Sequence, residues 1–322
     1  MTHAIVTTSP SAAIGTIDEA LDEYALTLRA QNKSAATVTV YLTALRRLNA
    51  HLKATGMPDN LSAIRREHIE AFLVSLQEEG RSASTVSVYY RSLQPFWRWA
   101  VEQGEVDESP MARMHPPKVP EKQVPIFNPD EVERLLAVVG NSKRYEDVRD
   151  LAIFRLLLDT GMRRGSLAAM KVGDVTFGKV MGDEAPDHYV VITGKGRKTW
   201  AVPFGDAAAV ALKRYLRARE KHDKARGTDA MWLGYKGPLK GNGILQMMER
   251  RGEEAGVGHL FVHRWRHHRA HDWLARGGSE TGLMRVMGWS SPAMLRRYGA
   301  SAADVRARDE FRRLEKGPAQ SG

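Results

Sequence analysis

The segment DLAIFRLLLDTGMR, residues 150–163, indicates how the second half of the chain is organised. Its apolar run, Asp150–Asp159, predicts a buried helix, and Thr160-Gly161 marks the end of that helix. Arg163 follows directly after the glycine turn. A single arginine in this position usually caps a helix C-terminus at the surface, so its meaning depends on the residues that accompany it.

The sequence around this helix predicts a domain that is mostly helical and contains a small sheet. Pro129, behind Asn128, suits the first turn of a helix. The β-branched runs His188–Thr193 and Thr199–Phe204 are joined by a turn rich in glycine and lysine, which predicts a hairpin. Further helices are predicted over residues 206–222, 242–254, 263–276, 279–287, 291–298 and 302–315.

The chain before this domain predicts a smaller helical domain. It shows apolar residues at helical spacing and no strand-like alternation. Thr16 is the expected N-cap of the first helix. The apolar positions of that helix are Ile17, Leu21, Tyr24 and Leu28. Five prolines between residues 110 and 125 disfavour a helix and predict an extended linker. The predicted boundaries are a flexible end at 1–15, a helical domain at 16–113, a linker at 114–126, a second domain at 127–316 and a flexible tail at 317–322.

Two segments of the smaller domain repeat one pattern, KSAATVTVY from Lys33 and RSASTVSVY from Arg81. Each segment places a cation and a serine before a helix, and the free N–H groups of a helix N-terminus can contact a phosphate. Two similar capped core helices would produce the same pattern, and both interpretations stay open. The candidate phosphate contacts are Lys33, Ser34, Thr37, Arg81, Ser82 and Thr85.

Charge and composition narrow the class of protein. The 322-residue chain carries a net charge of +10, and its first 126 residues hold 13 basic and 14 acidic side chains, so the excess lies in residues 127–322. A polyanionic partner fits this excess, and a solvated surface is the ordinary alternative. No apolar run reaches the length of a membrane span, and no signal peptide is recognised. Because cysteine is absent, we expect a reducing, cytoplasmic location.

Side chains that can handle a phosphate group recur downstream of Arg163. His263 and Arg266 are three residues apart and therefore share a helix face. Lys195 lies in the hairpin turn, and Trp289 precedes Tyr298 by nine residues. Two arginines can hold phosphate oxygens, a tyrosine can attack phosphorus once a neighbour takes its proton, and a lysine can protonate the leaving oxygen. Singly, each residue has a commoner structural explanation, but together they indicate phosphoryl transfer to a protein hydroxyl.

The order and spacing of these motifs resemble the tyrosine recombinase (phage integrase) family. The matching motifs are Thr-Gly-x-Arg at 160–163, Gly-Lys-Gly-x-Lys at 194–198, His-x-x-Arg-His at 263–267 and Gly-Trp at 288–289 with a tyrosine nine residues later. The resemblance implies a mainly α fold: a helical SAM-like core-binding domain and a mixed α/β, mostly helical catalytic domain with a small antiparallel sheet. It is similar to the Cre/Xer type, which has no separate arm-binding domain.

The resemblance also implies roles for the basic residues. Arg163 and Arg266 would bind the scissile phosphate of DNA. Lys195 would be the general acid for the departing 5′-hydroxyl, with Lys198 as the second choice. Arg197 and Lys198 in the hairpin turn are further candidate DNA contacts.

The remaining matched residues surround the nucleophile. Tyr298 would form a 3′-phosphotyrosine, and His263 would accept a proton or bind the phosphate. Trp289 would donate its indole N–H or support the site. Ser166 is a departure, because the family commonly has Glu or Asp there, and the missing carboxylate bears on pKa tuning and rate.

The resemblance implies a site-specific recombinase that acts as a homotetramer on two double-stranded DNA sites, associated with the nucleoid and serving a mobile element. The alternatives are a type IB topoisomerase, which shares this active site, and a DNA-binding accessory protein with a weakened site.

His263, His267 and His271 have a spacing similar to zinc ligands, but arginines crowd the same turns, so we expect no metal. The hairpin lacks the Gly-Lys-Ser/Thr ending of a phosphate loop, so we expect no ATP and no other cofactor.

Overall fold

A computed structural model describes residues 15–120, 124–179, 187–194 and 198–295, together with residues 298, 307–308, 311–312 and 315. The chain divides into two compact units, residues 1–122 and 123–322. The helix predicted over residues 302–315 lies largely outside the described residues, and its described positions are helical. Lys195 and Arg197 also lie outside them.

The described part of the N-terminal unit consists of helices that turn their apolar stripes inward. They are α1 (Ile17–Ala30), α2 (Ala35–Ala54), α3 (Arg66–Glu78) and α4 (Ala83–Glu102), with a 3-10 turn at Leu61–Ala63. Tyr24 packs against Phe96 and Trp99 with both ring-centroid distances at 5.3 Å. Thr16 is confirmed as the N-cap of α1, because its hydroxyl accepts the backbone N–H of Glu19.

The repeated sequence pattern corresponds to two helix starts of the same geometry. Ser34 caps α2 and Ser82 caps α4, and each serine hydroxyl accepts the backbone N–H three residues later. Both serines have φ −62°. The Ser34 and Thr37 hydroxyls are 2.8 Å apart, and those of Ser82 and Thr85 are 2.9 Å apart. The repeat therefore encodes the same capped helix start twice.

The described part of the C-terminal unit combines helices with two small antiparallel sheets. Its helices are α5 (Pro129–Gly140), α6 (Tyr145–Thr160), α7 (Arg164–Ala169), α8 (Asp206–Glu220), α9 (Gly241–Glu254), α10 (Val262–Ala275) and α11 (Glu280–Met287), with residues 292–295 and 298 also helical. Strands β1 (Val175–Thr176), β2 (Tyr189–Thr193) and β3 (Thr199–Pro203) form one sheet in that order, and β4 (Leu233–Gly234) pairs with β5 (Gly237–Pro238). The predicted hairpin is confirmed, with Val190 opposite Val202.

Helix α6 runs through the core, and its charged residues are paired there. Asp150 is fully buried and accepts hydrogen bonds from Arg149 at 2.7 Å and from Arg251 of α9 at 2.9 Å. An unpaired buried carboxylate would cost several kcal/mol, so these arginines make its burial tolerable. Helix α6, which precedes the turn to Arg163, is therefore tied to α9 by this buried pair.

The structure differs from the predicted elements at short or polar segments. Helix α6 begins at Tyr145, five residues before the predicted start, because its first turn is polar and lacks an apolar pattern. Helix α7 and strands β1, β4 and β5 are absent from the prediction, since two to six residues are too few to show a period. No helix in the described ranges combines the length and the apolar character needed to span a membrane.

Candidate active site

The turn between α6 and α7 sets the position of Arg163. Gly161 ends α6 in the left-handed conformation, with φ +54°. A Cβ on Gly161 would lie 3.0 Å from the side chains of Arg269 and Met287, so glycine is favoured both by the backbone angle and by the space. Arg163 follows in extended conformation as the N-cap residue of α7, half-buried.

Helix α10 carries Arg266 into the same region. Arg266 is only 1% exposed, and its guanidinium donates to the carbonyls of Gly161 at 2.9 Å and Met287 at 2.7 Å. Burial and, to a smaller extent, the nearby Arg163 guanidinium together lower the pKa of Arg266 to about 10, while Tyr298 opposes the shift. Two cations kept close together in a partly desolvated pocket form a site for an anion.

Tyr298 of the same chain lies beside Arg266. Its hydroxyl is 2.6 Å from Nε2 of His263, and its ring stacks on His267 with centroids 4.1 Å apart. The Arg266 guanidinium lies 5.7 Å from the centre of the Tyr298 ring. Tyr298 is 3% exposed, so the ring is fixed by packing while its hydroxyl faces a ring nitrogen of His263.

Trp289 completes the packing around Tyr298. Gly288 ends α11 with φ +61°, and the backbone N–H of Trp289 then donates to the Met284 carbonyl at 2.8 Å. The Trp289 ring lies 4.8 Å from the Tyr298 ring and 5.3 Å from the Arg266 guanidinium. Its buried indole N–H has no acceptor among the described residues.

The hairpin contributes the remaining predicted residues only in part, because Lys195 and Arg197 lie outside the described residues. Lys198 is exposed, and its carbonyl accepts the Gly194 N–H at 2.8 Å. The Ser166 hydroxyl is 3.4 Å from the carbonyl of Thr193, the last residue of β2. Ser166 therefore contacts the strand that leads into the hairpin turn.

The structure brings five of the six predicted catalytic residues into one region, and they are Arg163, His263, Arg266, Trp289 and Tyr298. The candidate phosphate contacts of the N-terminal unit lie at the starts of α2 and α4, where Lys33, Ser34, Arg81 and Ser82 are exposed. Arg81 also lies 3.5 Å from the Glu79 carboxylate. Thr37 and Thr85 are half-buried behind the capping serines.

Two neighbours of the site lie beyond the predicted set. His267 stacks on Tyr298, and its spacing of four residues from His263 is the signal that places both on one face of α10. Trp200 of β3 packs against Gly288, a contact that no sequence pattern predicts. Arg264, by contrast, points away from the site and pairs with Glu131 at 2.7 Å. Within the described ranges, no group of three His, Asp or Glu side chains has the geometry of a metal site.

Comparison with known proteins identifies the family. Residues 125–304 match the model described as "Phage integrase family", and residues 21–105 match "Phage integrase, N-terminal SAM-like domain". Tyrosine recombinase XerC of Corynebacterium efficiens is 31% identical over 80% of this chain and 79% of its own length. XerC of Neisseria gonorrhoeae is 29% identical over 84% of this chain and 87% of its own. The chain belongs to the phage integrase family, the class of tyrosine-type site-specific recombinases.

Solved structures show the same fold. A lambda integrase dimer bound to a COC′ core site is 19% identical, with a TM-score of 0.67 over 88% of this chain and 77% of that one. XerH bound to palindromic difH substrate, in a post-cleavage complex, is 18% identical, with a TM-score of 0.68 over 92% and 84%. The predicted fold, a SAM-like helical domain and a mostly helical integrase domain, is therefore confirmed.

Proposed function

We propose that this recombinase cuts and rejoins double-stranded DNA at specific sites through a 3′-phosphotyrosine on Tyr298. The observation that carries the proposal is the 2.6 Å contact between the Tyr298 hydroxyl and Nε2 of His263, made beside Arg266, which has Arg163 as a neighbour. A tyrosine hydroxyl is a weak nucleophile at neutral pH until a neighbour removes its proton. The arrangement supplies that neighbour and an anion site together.

In the proposed cleavage step, Nε2 of His263 takes the Tyr298 proton as the phenolic oxygen attacks the scissile phosphorus. The P–O5′ bond breaks, and Lys195 gives its proton to the departing 5′-oxygen. Arg163 and Arg266 neutralise the charge that develops on the non-bridging oxygens. The free indole N–H of Trp289 is a further donor for one of those oxygens.

Rejoining is the reverse of this step, with a 5′-hydroxyl from the same or another duplex attacking the phosphotyrosine. The energy of the original phosphodiester is kept in the P–O bond to tyrosine, so neither a nucleotide nor a metal ion is required. Exchange between two DNA sites needs four cleavages, which supports a homotetramer with one protomer at each scissile phosphate. The lambda integrase tetramer bound to a Holliday junction has the same fold.

DNA contacts outside the cleavage site are also part of the proposal. The positive charge of residues 127–322 suits the phosphate backbone. In the helical domain, 16–113, the exposed starts of α2 and α4 present Lys33 and Arg81 beside free helix N–H groups. Lys198 and Arg197, from the hairpin turn, are the proposed contacts of the catalytic domain, 127–316.

The experiment begins with a random-sequence duplex library that carries a nick just beyond the randomised region, incubated with the protein in EDTA. A short fragment released by cleavage diffuses away and traps the covalent intermediate, which is then captured in denaturant and sequenced. We expect adducts with an enriched sequence, and none with Tyr298→Phe. Tyr235→Phe, which alters an 88% exposed tyrosine on the β4–β5 turn, is the matched control and should retain the adduct.

Two results would contradict the proposal. Binding to an enriched site without any adduct would favour an accessory DNA-binding protein. Relaxation of supercoiled DNA without joined products from two sites would favour a topoisomerase.

A further inference from the structure

The indole ring of Trp200 lies against two glycines that border the active site. A Cβ on Gly194 would be 2.7 Å from the ring, and a Cβ on Gly288 would lie within 2.7 Å of three ring atoms. Because neither glycine has a side chain, both leave room for the indole ring. Trp200 contacts the base of the hairpin turn at Gly194 and the end of α11 at Gly288.

Trp200 also holds the end of α11 by a hydrogen bond. Its Nε1–H donates to the carbonyl of Val286 at 3.1 Å. The next carbonyl, that of Met287, accepts the Arg266 guanidinium at 2.7 Å. The backbone that leads to Trp289 is thus fixed from two sides, by Trp200 on β3 and by Arg266 on α10.

The other glycine connects this contact to the hairpin. Gly194 directly precedes Lys195 in the chain, and its N–H donates to the Lys198 carbonyl at 2.8 Å. A shift of the Trp200 ring would therefore disturb the backbone next to the proposed general acid. The same shift would disturb the backbone next to Trp289, which packs on Tyr298.

We propose that Trp200 is a positioning residue that fixes the hairpin base at Gly194 relative to the Val286–Trp289 segment. Its catalytic consequence rests on the proposed function, in which Lys195 protonates the leaving group. The ring itself touches no reacting atom. A residue that merely filled the core would affect stability alone, and this difference makes the proposal testable.

The first test measures amide hydrogen exchange in the free protein and requires no activity. In Trp200→Ala we expect faster exchange at both Gly194 and Gly288-Trp289, with unchanged exchange in α6. The matched control is Val202→Ala, which truncates a fully buried residue of the same strand that has no contact role at either glycine. Exchange that rises at only one of the two segments, or equally in Val202→Ala, would overturn the proposal.

A double-mutant cycle tests the contact directly. Gly194 does not have a positive φ, so Gly194→Ala introduces a methyl group that must displace the ring without straining the backbone. We expect Gly194→Ala to slow covalent adduct formation about as much as Trp200→Ala does, by about 100-fold. In a Trp200→Ala background the methyl group has room, so the second change should add less than about 3-fold. Independent, multiplying effects would contradict the proposal.

The final test separates positioning from general loss of activity by means of a 5′-bridging phosphorothiolate substrate. When tyrosine attacks this phosphorus the P–S bond breaks, and the thiolate leaves without needing a proton. On the phosphorothiolate substrate, we expect Trp200→Ala and Lys195→Ala to recover most of the rate that they lose on the normal substrate. For Val202→Ala, we expect the rate relative to wild type to be the same on both substrates. An equal defect of Trp200→Ala on oxygen and sulfur, beside recovery of Lys195→Ala, would overturn the claim that Trp200 positions the general acid. No recovery of Lys195→Ala would instead refute the proposed general acid, and the exchange result would then decide the case of Trp200.

Discussion

The Tyr298 hydroxyl and Nε2 of His263 are 2.6 Å apart within a single polypeptide chain. The tyrosine is 3% exposed and packs on His267 and Trp289, so its ring is held while its oxygen contacts the His263 ring nitrogen. In the protein without DNA, the tyrosine hydroxyl and the histidine are therefore already in contact before a phosphate binds.

Replacing His263 should slow chemistry while leaving DNA binding intact. His263→Ala removes the group that we propose accepts the Tyr298 proton, and loss of such a group typically costs about 10²–10⁴-fold in rate. The rate of adduct formation under single-turnover conditions, on the site recovered from the library, provides the measurement. His115→Ala, an exposed histidine, should leave the rate unchanged. A rate within about 3-fold of wild type in His263→Ala would remove His263 from the proton transfer.

Trp289→Phe should lower activity without lowering stability. The phenyl ring keeps the packing on Tyr298, while the substitution removes a buried N–H that has no acceptor among the described residues and that costs about 1–3 kcal/mol when unpaired. We expect a melting temperature equal to or above that of wild type, together with adduct formation about 10–100-fold slower. Unchanged cleavage in Trp289→Phe would show that the indole N–H does not bind the phosphate.

Anion binding to the arginine pair should weaken as the pH rises through about 10. Burial lowers the pKa of Arg266 to about 10, so its charge is present below that pH and is lost above it. Sulfate keeps its own charge throughout this range, and at about 100 times its Kd it would stabilise the protein by about 2.7 kcal/mol. We expect the sulfate-induced rise in melting temperature to be large at pH 8 and to shrink by pH 10.5.

Variants assign that effect to the site. Arg266→Ala should reduce the sulfate response at pH 8, whereas Arg217→Ala, on the exposed side of α8, should leave it in place. A sulfate response that is the same at both pH values, or that survives in Arg266→Ala, would contradict the anion site.

The two repeated helix starts should contribute to DNA affinity through phosphate contacts. Lys33→Ala and Arg81→Ala each remove one exposed cation beside a helix N-terminus. The slope of log K against log salt should fall in magnitude by about 0.9 for each substitution, with the preferred sequence unchanged. Arg46→Ala, which removes an exposed cation in the middle of α2, is the control. An unchanged salt slope in both variants would leave the repeat as a purely structural feature of the helical domain.

Much of this organisation can be predicted from the sequence, because its elements have strong local signals. Thr16 followed by Glu19 encodes the first helix cap, and the two runs that flank the hairpin turn encode β2 and β3. The proposed catalytic side chains are predicted from the order of the motifs along the chain. The i, i+3 spacing of His263 and Arg266 already places those two on one helix face.

The rest depends on tertiary contacts that leave no local pattern. The docking of Trp200 against Gly194 and Gly288 joins segments far apart in the chain, and neither the ring nor the glycines has a periodic signal. Arg264 and Arg266 are two residues apart, yet one pairs with Glu131 and the other enters the active site. Which of the two arginines faces the active site depends only on how α10 is rotated about its own axis against the core of the domain.

Mass spectrometry of the trapped protein–DNA adduct, after digestion with protease and nuclease, shows directly which residue is joined to DNA. We expect one modified peptide, in which the Tyr298 oxygen carries a nucleotide through its 3′-phosphate, formed in the presence of EDTA. A nucleotide attached to any other residue, or an adduct that forms only when a divalent metal is added, would contradict this expectation.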